Sequence, residues 1–277
     1  MAQQLQTLIG TAIDAAFDAG RCILEVYGRG FVVQEKADRS PLTEADLKAH
    51  AAIAECLAGT GLPMLSEEGR DVPIEERQGW DMYWLVDPLD GTKEFVKRNG
   101  EFTVNIALMG RDDLPGGPLG NAGPLGGVLY APVTDQLYFA WNGGGAWRQE
   151  LAATKPAGSA YERTLMSTRL PVEHAREAYT VVASRSHASP ETEAFIERMR
   201  SLHGDIALTT MGSALKIALV AEGLADVYPR YAPTMEWDTA AGHAIAMEAG
   251  REVLDLTTNT RLRYNKNELV NPWFIVQ

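Results

Sequence analysis

Cysteine is almost missing from this chain: Cys22 and Cys56 are the only two in 277 residues, and they form no C-x-x-C pair. That excludes a disulfide framework and a thiolate zinc site, and both thiols are expected in the core. Positive charge is scarce as well. Lys plus Arg number 25 against 37 Asp plus Glu, a net charge of −12, which argues against a nucleic-acid binder relying on counterion release. No apolar run approaches the ~18 residues of a membrane span, and Met1 to Gly10 carries polar residues where a signal peptide has basic and then apolar ones. A cytoplasmic location is expected, with a peripheral place at the inner membrane left open. The histidines, His50, His174, His187, His203 and His243, make no H-E-x-x-H zinc motif, and no G-x-x-x-x-G-K-[ST] phosphate loop is present.

What is present is a chain 45% hydrophobic, enough for one large domain or two closely packed halves. Leu5, Leu8, Ile9, Ala12, Ile13, Ala16 and Ile23 recur at three- and four-residue steps and predict an opening helix that ends near Gly28 and Gly30. A second helix is expected from a Thr43 cap through Asp46, Ile53 and Leu57 to Gly59, with a short ribbon around Val32 and Val33 between the two. Tyr83 to Val86 reads as a buried strand. Phe102, Val104, Ile106 and Leu108 alternate with Thr103, Asn105 and Ala107 as in a half-buried one. Asp112 to Gly127, rich in Gly and Pro, reads as an exposed loop, followed by an antiparallel meander over Val128 to Val133, Gln136 to Trp141 and Ala146 to Arg148. Lys155 to Ala160 is the expected connection between an α+β half, residues 1–154, and a half with α/β rhythm, residues 155–277. In the latter, strands at Tyr179 to Ala183 and Ile206 to Thr210 alternate with helices at Pro190 to Leu202 and Ser213 to Glu222. A last helix is expected to follow Asp238, before short strands at Val253 to Leu256 and Phe274 to Val276.

The strongest chemical signal is Asp87-Pro88-Leu89-Asp90-Gly91-Thr92, placed between a buried strand and a short helix. Two carboxylates three residues apart across a proline-fixed turn can converge on one point, the Leu89 carbonyl is available as a ligand, and Gly91 permits a tight backbone path. Oxygen-only ligands favour magnesium or manganese over zinc. The Gly91 and Thr92 amides at a helix start could hold a phosphate. The plainer alternative is that Asp90 caps the helix and Asp87 ends the strand. Glu67 and Glu68 could be solvated surface, Asp238 a helix cap, and Asp46 the partner of Thr43 in a capping box.

Trp84 to Phe95, the Ser66-Glu67-Glu68 segment and Trp237-Asp238-x-Ala240-Ala241-Gly242 together resemble the lithium-sensitive magnesium phosphatase superfamily that includes inositol monophosphatase. Lys93-Glu94-Phe95, Arg98 to Asn105 and Ser184-Arg185-Ser186-His187 look most like its CysQ branch, the bacterial 3′(2′),5′-bisphosphate nucleotidases. The resemblance implies a layered αβαβα sandwich, inhibition by lithium, and two or three magnesium ions. Glu67, Asp87 and the Leu89 carbonyl would hold the first ion, Asp87, Asp90 and Asp238 the second, and Glu67 a third. It further implies that Asp46 and Thr92 orient and deprotonate a water, that Gly91 and Thr92 bind phosphate, and that Ser184, His187, Ser213, Lys216 and Arg230 contact a bisphosphorylated nucleotide. The expected reaction is hydrolysis of adenosine 3′,5′-bisphosphate to AMP. An inositol or other sugar phosphatase is the alternative, and a non-catalytic nucleotide sensor a remoter one. A haloacid dehalogenase-type phosphatase would space its two aspartates by two residues in D-x-D, whereas Asp87 and Asp90 are three apart with a proline between.

Overall fold

The apolar stripe of the opening segment is buried along one side of α1 (Ala2–Tyr27) in the computed structural model, which describes residues 2–35, 41–111, 123–155, 158–183 and 189–277. An antiparallel ribbon, β1 (Val33–Glu35) with β2 (Pro41–Thr43), leads into α2 (Glu44–Ala58). Thr43 is the N-cap: its hydroxyl accepts from the Ala45 amide at 3.1 Å, and Asp46 Oδ2 accepts from the Thr43 amide at 2.7 Å. There follow β3 (Met64–Ser66), α3 (Ile74–Arg77), β4 (Met82–Asp90), α4 (Thr92–Val96), β5 (Thr103–Gly110), β6 (Gly123–Ala131), β7 (Gln136–Trp141), β8 (Gly145–Glu150), α5 (Ala160–Thr164) and β9 (Thr168–Leu170). Strands β3 to β9 form one seven-stranded sheet in chain order, parallel only between β3 and β4. The sheet thus takes its last strand from beyond residue 154.

The rest of the chain builds a second sheet and its covering helices: β10 (Tyr179–Ala183), α6 (Pro190–His203), β11 (Ile206–Thr210), α7 (Leu215–Glu222), β12 (Tyr228–Arg230), α8 (Glu236–Glu248), β13 (Val253–Asp255), β14 (Thr260–Arg261) and β15 (Phe274–Val276). β10 pairs in parallel with β11, and a bridge from Val181 to Val227 joins them to the β12-β15-β13-β14 ladder. Three apolar cores separate five layers. One lies between α1, α2 and the large sheet, one between that sheet, α7, α8 and the second sheet, and a small one, with Val181, Phe195 and Met199, under α6. This is the αβαβα sandwich that the resemblance implied.

Burial on both faces of the large sheet corrects the reading of β5. All eight of its residues are buried, so Thr103 and Asn105 face protein instead of water. The Gly-rich stretch is corrected too: β6 begins at Gly123, and residues 112–122 lie outside the described residues. Its glycines serve close approach. A Cβ on Gly126 would stand 2.7 Å from Ile9 Cδ1 of α1, and one on Gly127 would stand 2.4 Å from the Ala241 carbonyl of α8, so neighbouring residues let helices press on opposite faces. α7 starts at Leu215, two residues later than expected, because Ser213 takes a left-handed turn with φ 49°. α8 starts at Glu236 and so includes Asp238. Cys22 and Cys56 are half-buried, which corrects their placement in the core.

Gly127→Ala is expected to destabilise the fold by about 1–3 kcal/mol, because the clash is with helix backbone and cannot be relieved by a rotamer change. Gly59→Ala is the control: Gly59 has ordinary helical φ and open space around its Cα. Equal urea midpoints for the two variants would contradict this account of the packing.

Candidate active site

The end of β4 and the starts of α7 and α8 meet in one cleft, and the start of α2 adjoins it through Thr92. β4 pairs with β5 through Asp87 opposite Asn105 and Asp90 opposite Thr103, with a register shift between the two pairs. Two residues, Pro88 and Leu89, thus oppose Val104 alone, and the resulting bulge re-aims the second carboxylate. Gly91 follows at φ 91°, a left-handed conformation that a side chain would strain, and α4 begins at once. From the other half of the chain comes Asp238, third residue of α8. Asp87, Asp90 and Asp238 each place a carboxylate oxygen within 4.8 Å of the others.

The three carboxylates are anchored in a common way. Asp87 Oδ1 accepts from the Leu89 amide at 3.0 Å, Asp90 Oδ2 from the Ala214 amide at 2.6 Å, and Asp238 Oδ2 from the Met235 amide at 2.8 Å. Each thus commits one oxygen to the backbone. Their proximity is costly without a cation. Burial, and then the charges of Glu67, Asp90 and Asp238, hold Asp87 well above the usual carboxylate range. Burial, reinforced by Asp90, pushes Asp238 up to about 8. Asp90 is raised by burial to about 6, with Lys216 and the hydrogen bonds from Asn105 and Ala214 working against the shift. Glu67, whose amide donates to the Val86 carbonyl at 3.1 Å, thus stands close enough to act on all three aspartates.

On the α2 side, buried Asp46 has two tasks. Its Oδ2 accepts from both the amide and the hydroxyl of Thr43, at 2.7 Å each, while its Oδ1 accepts from the Thr92 hydroxyl at 3.3 Å. The capping and the Thr92 readings of Asp46 describe two oxygens of the same group. Thr92 Oγ1 lies equally far, 3.3 Å, from the Leu89 carbonyl.

The cleft is lined by Asp90, Gly91, Ser213, Lys216, Arg230 and Asp238 among others. Lys216 is buried beside Asp90 instead of lying on a solvated surface. Burial lowers it to about 8, against the pull of Asp90, and its Nζ donates to the Ser213 carbonyl at 2.6 Å and the Met211 carbonyl at 3.4 Å. It therefore also fastens the turn that carries Ser213. Arg230 Nη2 donates to the Pro233 carbonyl at 3.1 Å, and its buried Nε has no hydrogen-bond partner among the described residues. Ser184 and His187 lie outside the described residues. Sequence reasoning missed Tyr228, whose ring lies 5.8 Å from Lys216 Nζ, and Glu101, which accepts the Gly212 amide at 2.8 Å. It also placed Asn105 without a role. The available signal was an amide side chain in a strand otherwise nearly all apolar.

No helix among the described residues is long and apolar enough to cross a membrane. Comparison with known proteins covers almost the whole chain. The 3′(2′),5′-bisphosphate nucleotidase CysQ of Salmonella typhimurium is 42% identical over 266 residues, which are 94% of this chain and 96% of that protein. The crystal structure of CysQ from Bacteroides thetaiotaomicron superposes with a TM-score of 0.86 at 50% identity, covering 98% of this chain and 97% of that one. The suhB extragenic suppressor protein of Bartonella henselae has a TM-score of 0.67 at 26% identity, with 88% and 86% covered. The model of the inositol monophosphatase family matches residues 4–274, and the chain belongs to that family.

Proposed function

We propose that this protein is a 3′(2′),5′-bisphosphate nucleotidase that hydrolyses the 3′-phosphate of adenosine 3′,5′-bisphosphate, leaving AMP. The observation that carries the reading is the convergence of Asp87, Asp90 and Asp238 at a cleft that Lys216 and Arg230 also line. An all-oxygen set of mutually repelling carboxylates, each anchored through one oxygen, fits a hard divalent cation. Glu67, Asp87 and the Leu89 carbonyl would hold one magnesium or manganese ion, Asp87, Asp90 and Asp238 a second, and Glu67 would touch a third. Bound there, such ions supply Lewis acidity toward a phosphoryl group and lower the pKa of water.

The chain's own groups account for positioning and proton transfer. Asp46 Oδ2 is occupied by Thr43, so Oδ1 is the acceptor that faces Thr92. A water that donates to Thr92 Oγ1 can pass its proton along that line to Asp46 while the hydroxyl stays hydrogen-bonded. The Gly91 and Thr92 amides, at the unpaired start of α4, are suited to phosphoryl oxygens. Arg230, Ser213 and Lys216 line one wall of the cleft, where the two cations suit a second phosphate. Ser184 and His187 complete the nucleotide contacts in this reading.

The test is kcat/KM for adenosine 3′,5′-bisphosphate, inositol 1-phosphate and fructose 1,6-bisphosphate, in wild type and in Lys216→Ala and Arg230→Ala. The nucleotide should be preferred, and each variant should lose about 10–100-fold on it, the worth of a charge-assisted hydrogen bond, with little loss on inositol 1-phosphate. Equal or higher efficiency on inositol 1-phosphate, with no selective loss in the variants, would make the protein a sugar phosphatase. A phospho-aspartate trapped on Asp87 would rule out direct attack by water.

A further inference from the structure

Thr103 and Asn105 are 0% and 1% exposed, on the face of β5 shared by Ala107 and Met109. A hydroxyl and an amide in such a place cost stability unless their hydrogen bonds are made. The bonds they make run in one direction. Thr103 Oγ1 donates to Asn105 Oδ1 at 2.9 Å, and Asn105 Nδ2 donates to Asp90 Oδ2 at 3.2 Å. The carboxylate, which only accepts, fixes which end of the amide faces it, and the Thr103 hydroxyl, donating to Asn105 Oδ1, holds the amide in that place. The same Oδ2 accepts the Ala214 amide at 2.6 Å, so two donors, one from β5 and one from the turn before α7, saturate one oxygen. Oδ1 accepts no hydrogen bond among the described residues. Asn105 sits opposite Asp87 across the bulge, where a shift of the ladder would move both aspartates together.

We infer that Asn105, held in place by Thr103, is a positioning residue that holds Asp90 by Oδ2 and reserves Oδ1 for the cation. The inference rests on reading Asp90 as a metal ligand. Groups that orient metal ligands commonly contribute about 10–100-fold in metal affinity. Asn105→Ala leaves Asp90 charged and tethered only by the Ala214 amide, free to turn, so the carboxylate must be ordered again when metal binds.

The experiment titrates manganese into the substrate-free protein and follows loss of the free-ion electron paramagnetic resonance signal, with kcat measured in parallel against magnesium concentration. Asn105→Ala should bind manganese about 10–100-fold more weakly, with kcat recovering as magnesium is raised. Thr103→Val should shift affinity in the same direction by less, and Thr103→Ser should restore it. Asp90→Asn is measured alongside. If it weakens binding while Asn105→Ala does not, the positioning role falls and the metal-ligand reading stands. If Asp90→Asn binds as wild type does, both fall. Should Asn105→Ala fail to fold, equal affinities for Thr103→Val and Thr103→Ser would overturn the inference.

Discussion

Asp238→Asn is expected to cut turnover by at least about a hundredfold and, in the presence of a chelator, to make the protein more stable at pH 8. The activity loss follows because a neutral amide cannot replace a charged ligand. The stability gain follows from linkage. Asp238 is held at about 8 in the fold, against an ordinary 3.8, by burial and by Asp90. In the unfolded chain it ionises freely above pH ~4, whereas the metal-free fold must retain a proton or bear the repulsion. Its contribution is neutral below the unfolded value, turns against the fold as pH rises through the window from 3.8 to about 8, and is fully unfavourable above that. Asp87 and Asp90 are raised by the same neighbours, so the proton belongs to the cluster as much as to one residue. Asparagine removes one charge from the cluster and keeps a carbonyl oxygen for the Met235 amide. The gain should be on the order of a few kcal/mol at pH 8 and shrink toward pH 5. Magnesium should reverse the ranking, stabilising wild type far more than the variant. The check is urea unfolding at pH 5 and pH 8, with chelator and with magnesium. A variant less stable than wild type at pH 8 in chelator would show that the carboxylates do not strain the metal-free fold, and near-normal activity at low magnesium would remove Asp238 from the site.

The Asp87 to Thr92 part of the cluster was legible in the sequence because its carboxylates sit where local rules are visible: a strand end, a proline-fixed turn, a glycine at positive φ and a helix start. Other features were masked by signals that carry two meanings. Period-two alternation over Phe102 to Leu108 reads the same whether the second face meets water or a second layer, and only the packing of α7 and α8 shows that Asn105 faces protein. Gly126 and Gly127 resemble loop glycines, since the Ile9 and Ala241 atoms that demand them come from helices far away in sequence. Asp238 resembles an N-cap because a carboxylate two residues into the helix makes the same kind of bond to a free amide. Contacts across the chain were invisible in principle. Nothing local indicates that the Ala214 amide would hold Asp90, 124 residues earlier, or that Lys216 would be buried beside it.

Asp46→Asn is the sharpest test of the water-activating reading, because it changes one oxygen's character while leaving the fold's demand on the other intact. The Thr43 amide and hydroxyl both donate to Oδ2. In the variant those donors require the amide oxygen, which turns the NH₂ toward Thr92, where the wild-type protein has an acceptor at 3.3 Å. A donor then faces the hydroxyl, and the path by which a proton reaches Asp46 is closed. The α2 cap keeps its geometry and should lose at most about 1 kcal/mol, whereas kcat should fall by about 10²–10⁴, the usual worth of a positioned base. Manganese affinity should stay near that of wild type, since Asp46 is outside the converging set of Asp87, Asp90 and Asp238. Thr92→Val should lose a comparable factor and Thr92→Ser should recover most of it. If both residues serve one proton path, the double variant Asp46→Asn with Thr92→Val will be hardly worse than either single variant. Multiplicative losses would instead mean that they act on separate steps, and an Asp46→Asn enzyme with near-normal kcat would leave the water to be activated without any base from α2.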